Sequence, residues 1–142
     1  MRVLYLADTY RPARTACANR TAVLVEALQD AGHDVRVLAS TDSLIGVPEG
    51  YEISECVTLF DTFPLVAHGA VKVAEGLGDF DAVVCTTPPL LLMSSAVKIA
   101  KRKRARLVLD VRDIWPDVAY EMGSFAPGSL YGRFFERVAR KA

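Results

Sequence analysis

Three cysteines in 142 residues, Cys17, Cys56 and Cys85, are too few and too far apart for a disulfide framework, and no Cys-x-x-Cys pair suggests a metal site. That scarcity fits a reducing compartment. No secretory leader is expected either: Met1-Arg2 runs straight into Val3-Leu4-Tyr5-Leu6-Ala7, shorter than a signal peptide's apolar core and without a convincing cleavage site. A cytoplasmic location is the expectation. The longest apolar stretch, Ala82 to Ala100, is cut by Thr86-Thr87-Pro88-Pro89 into a strand-sized and a helix-sized piece, so no continuous membrane-spanning helix is expected. Repeats and low-complexity tracts are absent. His33 and His68 have no serine or cysteine placed to pair with them, which leaves nucleophilic catalysis and metal binding without a constellation.

What the chain has is enough apolar residue for one core. Just over half of it is hydrophobic and about a quarter charged, at a length that suits a single domain over residues 1–142. Net charge is zero but unevenly laid out. Residues 1–97 hold 6 basic and 12 acidic residues, and residues 98–142 hold 11 basic and 5 acidic. A basic final third can face an anionic partner, or be a solvated helix face.

Strand-length apolar runs alternate with helix-length amphipathic ones. Strands are expected over Arg2–Ala7, Asp34–Ala39, Tyr51–Phe60, Asp81–Cys85 and Arg106–Val111. Helices are expected over Ala18–Ala31, with Leu24, Ala27, Leu28 and Ala31 inward and Gly32 ending it, and over Pro64–Leu77, Leu90–Lys101 and Ser129–Lys141. In the last of these, Leu130, Phe134 and Val138 make the apolar stripe. This alternation predicts an α/β fold, a Rossmann-like doubly wound parallel sheet of about five strands with helices on both faces. With the order 3-2-1-4-5, ligands would bind beyond the carboxyl ends of the strands, between the first and the fourth.

Three loops converge there. The first, ADTYRPARTACANR, has no glycine, so the backbone approach of a G-x-G-x-x-G dinucleotide site is disfavoured. Arg11, Arg14 and Arg20 in or beside it can bind an anion through their side chains, or be solvated charges. The second loop follows Thr86-Thr87, whose hydroxyls can meet a ligand, although Thr87 can equally cap the next helix. The third lies within Val108–Glu121, VLDVRDIWPDVAYE, which concentrates acids, Arg112 and the only tryptophan, Trp115, after a strand. Period 2 puts Val108, Asp110 and Arg112 on one face and Val111 and Asp113 on the other. Asp113 is the candidate for contact with a substrate hydroxyl, Asp110 and Asp117 suit an ion pair or a loop cap, and Trp115 suits packing.

The wording of YRPARTACANR, AGHDVRVLAS, DAVVCTTPPLLL and LVLDVRDIWPD resembles the N-terminal domain of the family 4 glycosyltransferases of GT-B fold, especially those that build bacterial cell-surface polysaccharides. TTPP and VRDIWPD are its most specific parts. The resemblance implies one half of a two-domain, retaining, metal-independent transferase, with no cofactor. In that half Asp113 would lie near the transferred sugar, and Arg11, Arg14, Asn19, Arg20, Thr86, Thr87, Arg112, Trp115 and Glu121 would form the acceptor side of the cleft. A nucleotide-sugar donor would be held by a second domain, absent from these residues, so that the chain alone would be catalytically incomplete. Its partners would be a glycan or lipid-linked acceptor, an anionic membrane surface on the inner face of the plasma membrane, and a partner subunit, with no nucleic acid. Two other readings stand beside this one: a non-catalytic binding module or split-enzyme subunit, and half of a sugar-nucleotide epimerase.

Overall fold

The computed structural model describes residues 1–44, 57–60 and 66–140. Five apolar segments form parallel strands: β1 (Arg2–Ala7), β2 (Asp34–Ser40), β3 (Val57–Phe60), β4 (Ala82–Thr87) and β5 (Arg106–Val111). Four of them, six or seven residues long, make the body of the sheet, and the four-residue β3 pairs along β2. The order is β3-β2-β1-β4-β5 and every pairing is parallel. The expected α/β parallel sheet is therefore present, and the reversal of strand order falls between β1 and β4. The start of the third expected strand, from Tyr51, and the helix start at Pro64 lie outside the described residues, as do Cys56 and Lys141.

Among the described residues, five α-helices connect and follow the strands: α1 (Ala16–Asp30), α2 (Val66–Glu75), α3 (Leu90–Lys103), α4 (Asp117–Glu121) and α5 (Leu130–Ala139). The sheet divides its alternate side chains between two core clusters. Leu4 and Leu6 of β1 join Val83, Cys85, Ala70, Ala74, Leu92, Ala96 and Ile99 in one, with α2 and α3. Val3, Tyr5 and Ala7 join Val35, Val37, Ala22 and Val25 in the other, with α1. Burying both sets explains why β1 and β4 are almost unbroken apolar runs.

Several boundaries differ from expectation. α1 starts two residues early because the Thr15 hydroxyl caps it, accepting from the Ala18 N–H at 3.1 Å. Its buried stripe is Ala18, Thr21, Ala22 and Val25, and Ala27 and Ala31 are exposed. Leu24 and Leu28, expected to face inward, are half-buried and pack against the same core cluster. Gly32 ends the helix as expected, at φ +82° with its N–H on the Gln29 carbonyl at 2.8 Å. β4 extends through Thr87 and α3 to Lys103, and a short α4 occupies part of the expected third loop.

The α5 stripe is also corrected. Leu130 and Phe134 point outward, and Gly132 and Phe135 face the protein. Two contacts choose that face. Phe135 packs on Trp115 and Phe125, with ring centroids 5.5 and 5.6 Å away. Gly132 lies so close to α4 that a Cβ there would stand 2.8 Å from the Tyr120 hydroxyl oxygen. Among the described residues, no helix is long and apolar enough to cross a membrane.

Candidate functional site

The carboxyl ends of β1, β4 and β5 lie side by side, and the segments that leave these strands set the chemistry of this edge. After β1 the chain turns through Tyr10, a buried residue whose N–H donates to Ser43 Oγ at 3.0 Å. α1 then starts at its Thr15 cap and carries Arg20 along the rim of the sheet. The Arg20 guanidinium reaches Asp110 Oδ1 of β5 at 2.7 Å, across 90 residues of sequence. Thr86, opposite Asp110 in the β4–β5 register, donates its hydroxyl to the other carboxylate oxygen at 3.4 Å. The Asp110 side chain is 22% exposed and held from two sides. The hydrogen bond and charge of Asp110 in turn hold Arg20 still more firmly protonated than a free arginine.

Tyr5 belongs to the same neighbourhood. It is fully buried on β1, and its hydroxyl has no hydrogen-bond partner among the described residues. Burial, then the Asp110 charge, pushes this phenol up to about 12, so it is neutral at ordinary pH. Tyr5, Arg20 and Asp110 border a cavity of about 450 Å³ whose remaining wall is largely apolar, including Leu24, Val84 and Val108. Cys85, one residue before Thr86, is likewise pushed up to about 12, by burial first and then by Asp110.

A second small cluster ties β5 to the turn after β4. The Arg112 N–H donates to the Thr87 carbonyl at 3.1 Å, and Arg112 Nη2 donates to the Pro88 carbonyl at 2.8 Å. Arg112 Nε and Thr87 Oγ1 are buried without hydrogen-bond partners among the described residues. The expected Thr87 cap is not formed. Pro89 takes the N-cap position of α3 and no side chain caps it, because Thr87 is still in the strand, two prolines back. Asp113 comes next as an exposed carboxylate in the loop, its carbonyl accepting from the Trp115 N–H at 3.1 Å.

Of the residues expected at the site, Arg20 and Thr86 meet at Asp110, and Thr87 and Arg112 meet at the proline turn. The others are apart. Arg11 forms a 2.5 Å ion pair with Glu26, a residue of α1, which occupies its guanidinium. Arg14 and Asn19 are exposed before and within the first turns of α1, and Glu121 is exposed at the end of α4. Trp115 packs in the aromatic cluster with Phe125 and Phe135, the packing role expected for it. Sequence reasoning missed Tyr5. Its one signal was a hydroxyl-bearing residue within an otherwise apolar β1. Asp110 takes the ion-pair role expected of it, and Asp117 sits in the first turn of α4, where a carboxylate suits the helix dipole.

This edge offers guanidinium and hydroxyl donors around one held carboxylate, Asp110, and the loop that follows carries the exposed carboxylate of Asp113. Among the described residues, no group of three or more histidine, cysteine and acidic side chains is placed to hold a metal ion. No family model, curated protein or solved structure matches this chain.

Proposed function

We propose that this chain is the acceptor-side half of a retaining glycosyltransferase, a Rossmann-like domain with helices on both faces of its sheet, paired in a GT-B arrangement with a domain that holds the nucleotide-sugar donor. The acceptor is a lipid-linked or polysaccharide glycan. The observation that carries the reading is the Arg20–Asp110–Thr86 cluster at the carboxyl edge of a parallel sheet, one strand from the reversal of strand order. It ties Thr86, the first residue of TTPP, to Asp110, the residue that leads into VRDIWPD.

In this mechanism Arg20 and Thr86 fix the Asp110 carboxylate so that it orients acceptor hydroxyls without itself reacting. Arg112, tied to the Pro88 carbonyl, stiffens the loop that presents Asp113. Asp113 accepts the hydrogen bond of a hydroxyl near the transferred sugar and polarises it. The donor arrives from the facing domain.

The test is transfer of labelled sugar from nucleotide-sugar donors to extracted glycolipids by the complete two-domain enzyme. Asp113→Asn should lower kcat by about 10²–10⁴-fold. The melting temperature should stay within about 2 °C, because the side chain is exposed. Unchanged turnover in the variant, or no transfer by the wild type to any glycolipid, contradicts the reading.

A further inference from the structure

The turn from β4 into α3 carries hydrogen-bonding groups that the fold itself leaves unused. Thr87 closes β4 and is 2% exposed, yet its Oγ1 has no partner among the described residues. Period 2 places it on the face of Val83 and Cys85, which is the face that α3 covers. Arg112 Nε is likewise buried without a partner, and the same guanidinium is held on this turn by the bond from Nη2 to the Pro88 carbonyl. No carboxylate pairs with Arg112 among the described residues, so its charge is not neutralised there. A guanidinium N–H kept from water without an acceptor is costly, and a bound acceptor relieves that cost.

Beyond the two prolines α3 begins. No side chain caps it, and the N–H groups of Leu90 and Leu91 have no hydrogen-bond partner among the described residues, while that of Leu92 donates to the Pro89 carbonyl at 3.1 Å. The helix is fourteen residues long, so the positive end of its dipole adds to the Arg112 charge. Pro88, Pro89, Leu91 and Arg112 are half-buried, which brings this turn to the surface. Two helix amides, a hydroxyl and a guanidinium edge suit a compact anion with several acceptor oxygens. A phosphomonoester presents three terminal oxygens and nearly two charges. Each phosphate of a nucleotide sugar is bridged on both sides and presents fewer of both.

We propose that Thr87, Arg112 and the N-terminus of α3 bind a phosphomonoester, and that the sugar held at the carboxyl edge is therefore a phosphorylated one. The second half rests on the acceptor reading and the first does not. Phosphate alone tests the site, and sugar transfer tests that reading, so the two failures are distinguishable.

Amide shifts of the isotope-labelled chain test it. Inorganic phosphate, added against a chloride control of equal ionic strength, should shift Leu90 and Leu91 with a millimolar midpoint. Glucose-6-phosphate should shift the same two amides and also those of Asp110 and Asp113, whereas UDP-glucose should leave Leu90 and Leu91 in place. Thr87→Val exchanges the buried hydroxyl for a methyl of similar shape and should weaken phosphate binding on the order of 10-fold. Arg112→Gln should weaken it on the order of 100-fold, with circular dichroism checking the fold. If that variant unfolds, Thr87→Val decides alone. The site is overturned if phosphate leaves Leu90 and Leu91 in place, if it shifts only the arginines of α5, or if folded Thr87→Val binds it as tightly as the wild type. The phosphorylated-sugar assignment is overturned if glucose-6-phosphate moves Leu90 and Leu91 without Asp110 and Asp113, or if UDP-glucose displaces phosphate more readily than glucose-6-phosphate does.

Discussion

β1 and β5 are six-residue strands of nearly the same composition, RVLYLA and RLVLDV, yet the sheet treats them differently. All five residues of β1 after Arg2 are buried. In β5 every residue is exposed or half-buried, and Val108 is 51% exposed. β1 sits between β2 and β4, with a core cluster on each side of it. Among the described residues, β5 pairs with β4 alone. Position in the sheet, which local sequence does not encode, makes one strand a structural centre and the other a platform for exposed chemistry. That is why an aspartate is stable at the fifth position of β5, while the only polar side-chain group buried within β1 is the unreactive Tyr5 hydroxyl.

The sharpest way to break this comparison is to shorten one side chain in each strand. Leu4→Ala in β1 should cost about 3–5 kcal/mol in urea denaturation, because its surroundings are fully packed. Val108→Ala in β5 should cost less than about 1 kcal/mol, since half of that side chain already meets solvent. Equal losses would mean that β5 is as enclosed as β1.

Next in size is the alkaline limb of stability. The Tyr5 pKa is raised from 10.0 to about 12 and that of Cys85 from 9.0 to about 12, so in each case the folded state holds its proton more tightly than the unfolded chain. Their contribution is fully present below pH 9 and is lost as pH rises from 9 to 12, Cys85 first and Tyr5 from about 10. Tyr5→Phe should remove the upper part of that loss, on the order of 2 kcal/mol at pH 12. At pH 7 it should be neutral or slightly stabilising, because the hydroxyl it deletes has no partner among the described residues. A Tyr5→Phe profile parallel to that of the wild type up to pH 12 would contradict the buried-phenol account.

A smaller effect is expected at the cysteines. In the native protein at pH 8, Cys85 should resist a thiol reagent for as long as the fold holds, and the part-exposed Cys17 should be modified before it. Mass spectrometry of the labelled peptides reads the order, and prior labelling of Cys85 would show that the core opens locally.

Much of this architecture was legible in the residues. β1 and β5 have the limits that their apolar runs predict, Gly32 ends α1, and Val108 and Asp110, placed on one face by period 2, border the same cavity. Helix faces were less readable. In α1 Leu24 and Leu28 pack against the core as expected, while the fully buried positions are Ala18, Thr21, Ala22 and Val25, and Ala27 and Ala31 face solvent. In α5 the choice was made by Trp115 and Phe125, which no periodicity within 130–139 can register. The Arg20–Asp110 pair spans 90 positions, a separation that no local pattern registers. Arg11, chemically identical to Arg20 in the sequence, was instead taken up by Glu26 on the helix that its own loop leads into.

The most direct test of the account is a map of backbone amide shifts as the chain is titrated with an acceptor-type oligosaccharide and, separately, with a nucleotide sugar. The account predicts that the oligosaccharide shifts the amides of Thr86 to Thr87 and Asp110 to Asp113, and those around Arg20, while the nucleotide sugar leaves them in place. Shifts confined to other surfaces, or a nucleotide sugar that binds this edge in preference to the glycan, would contradict it.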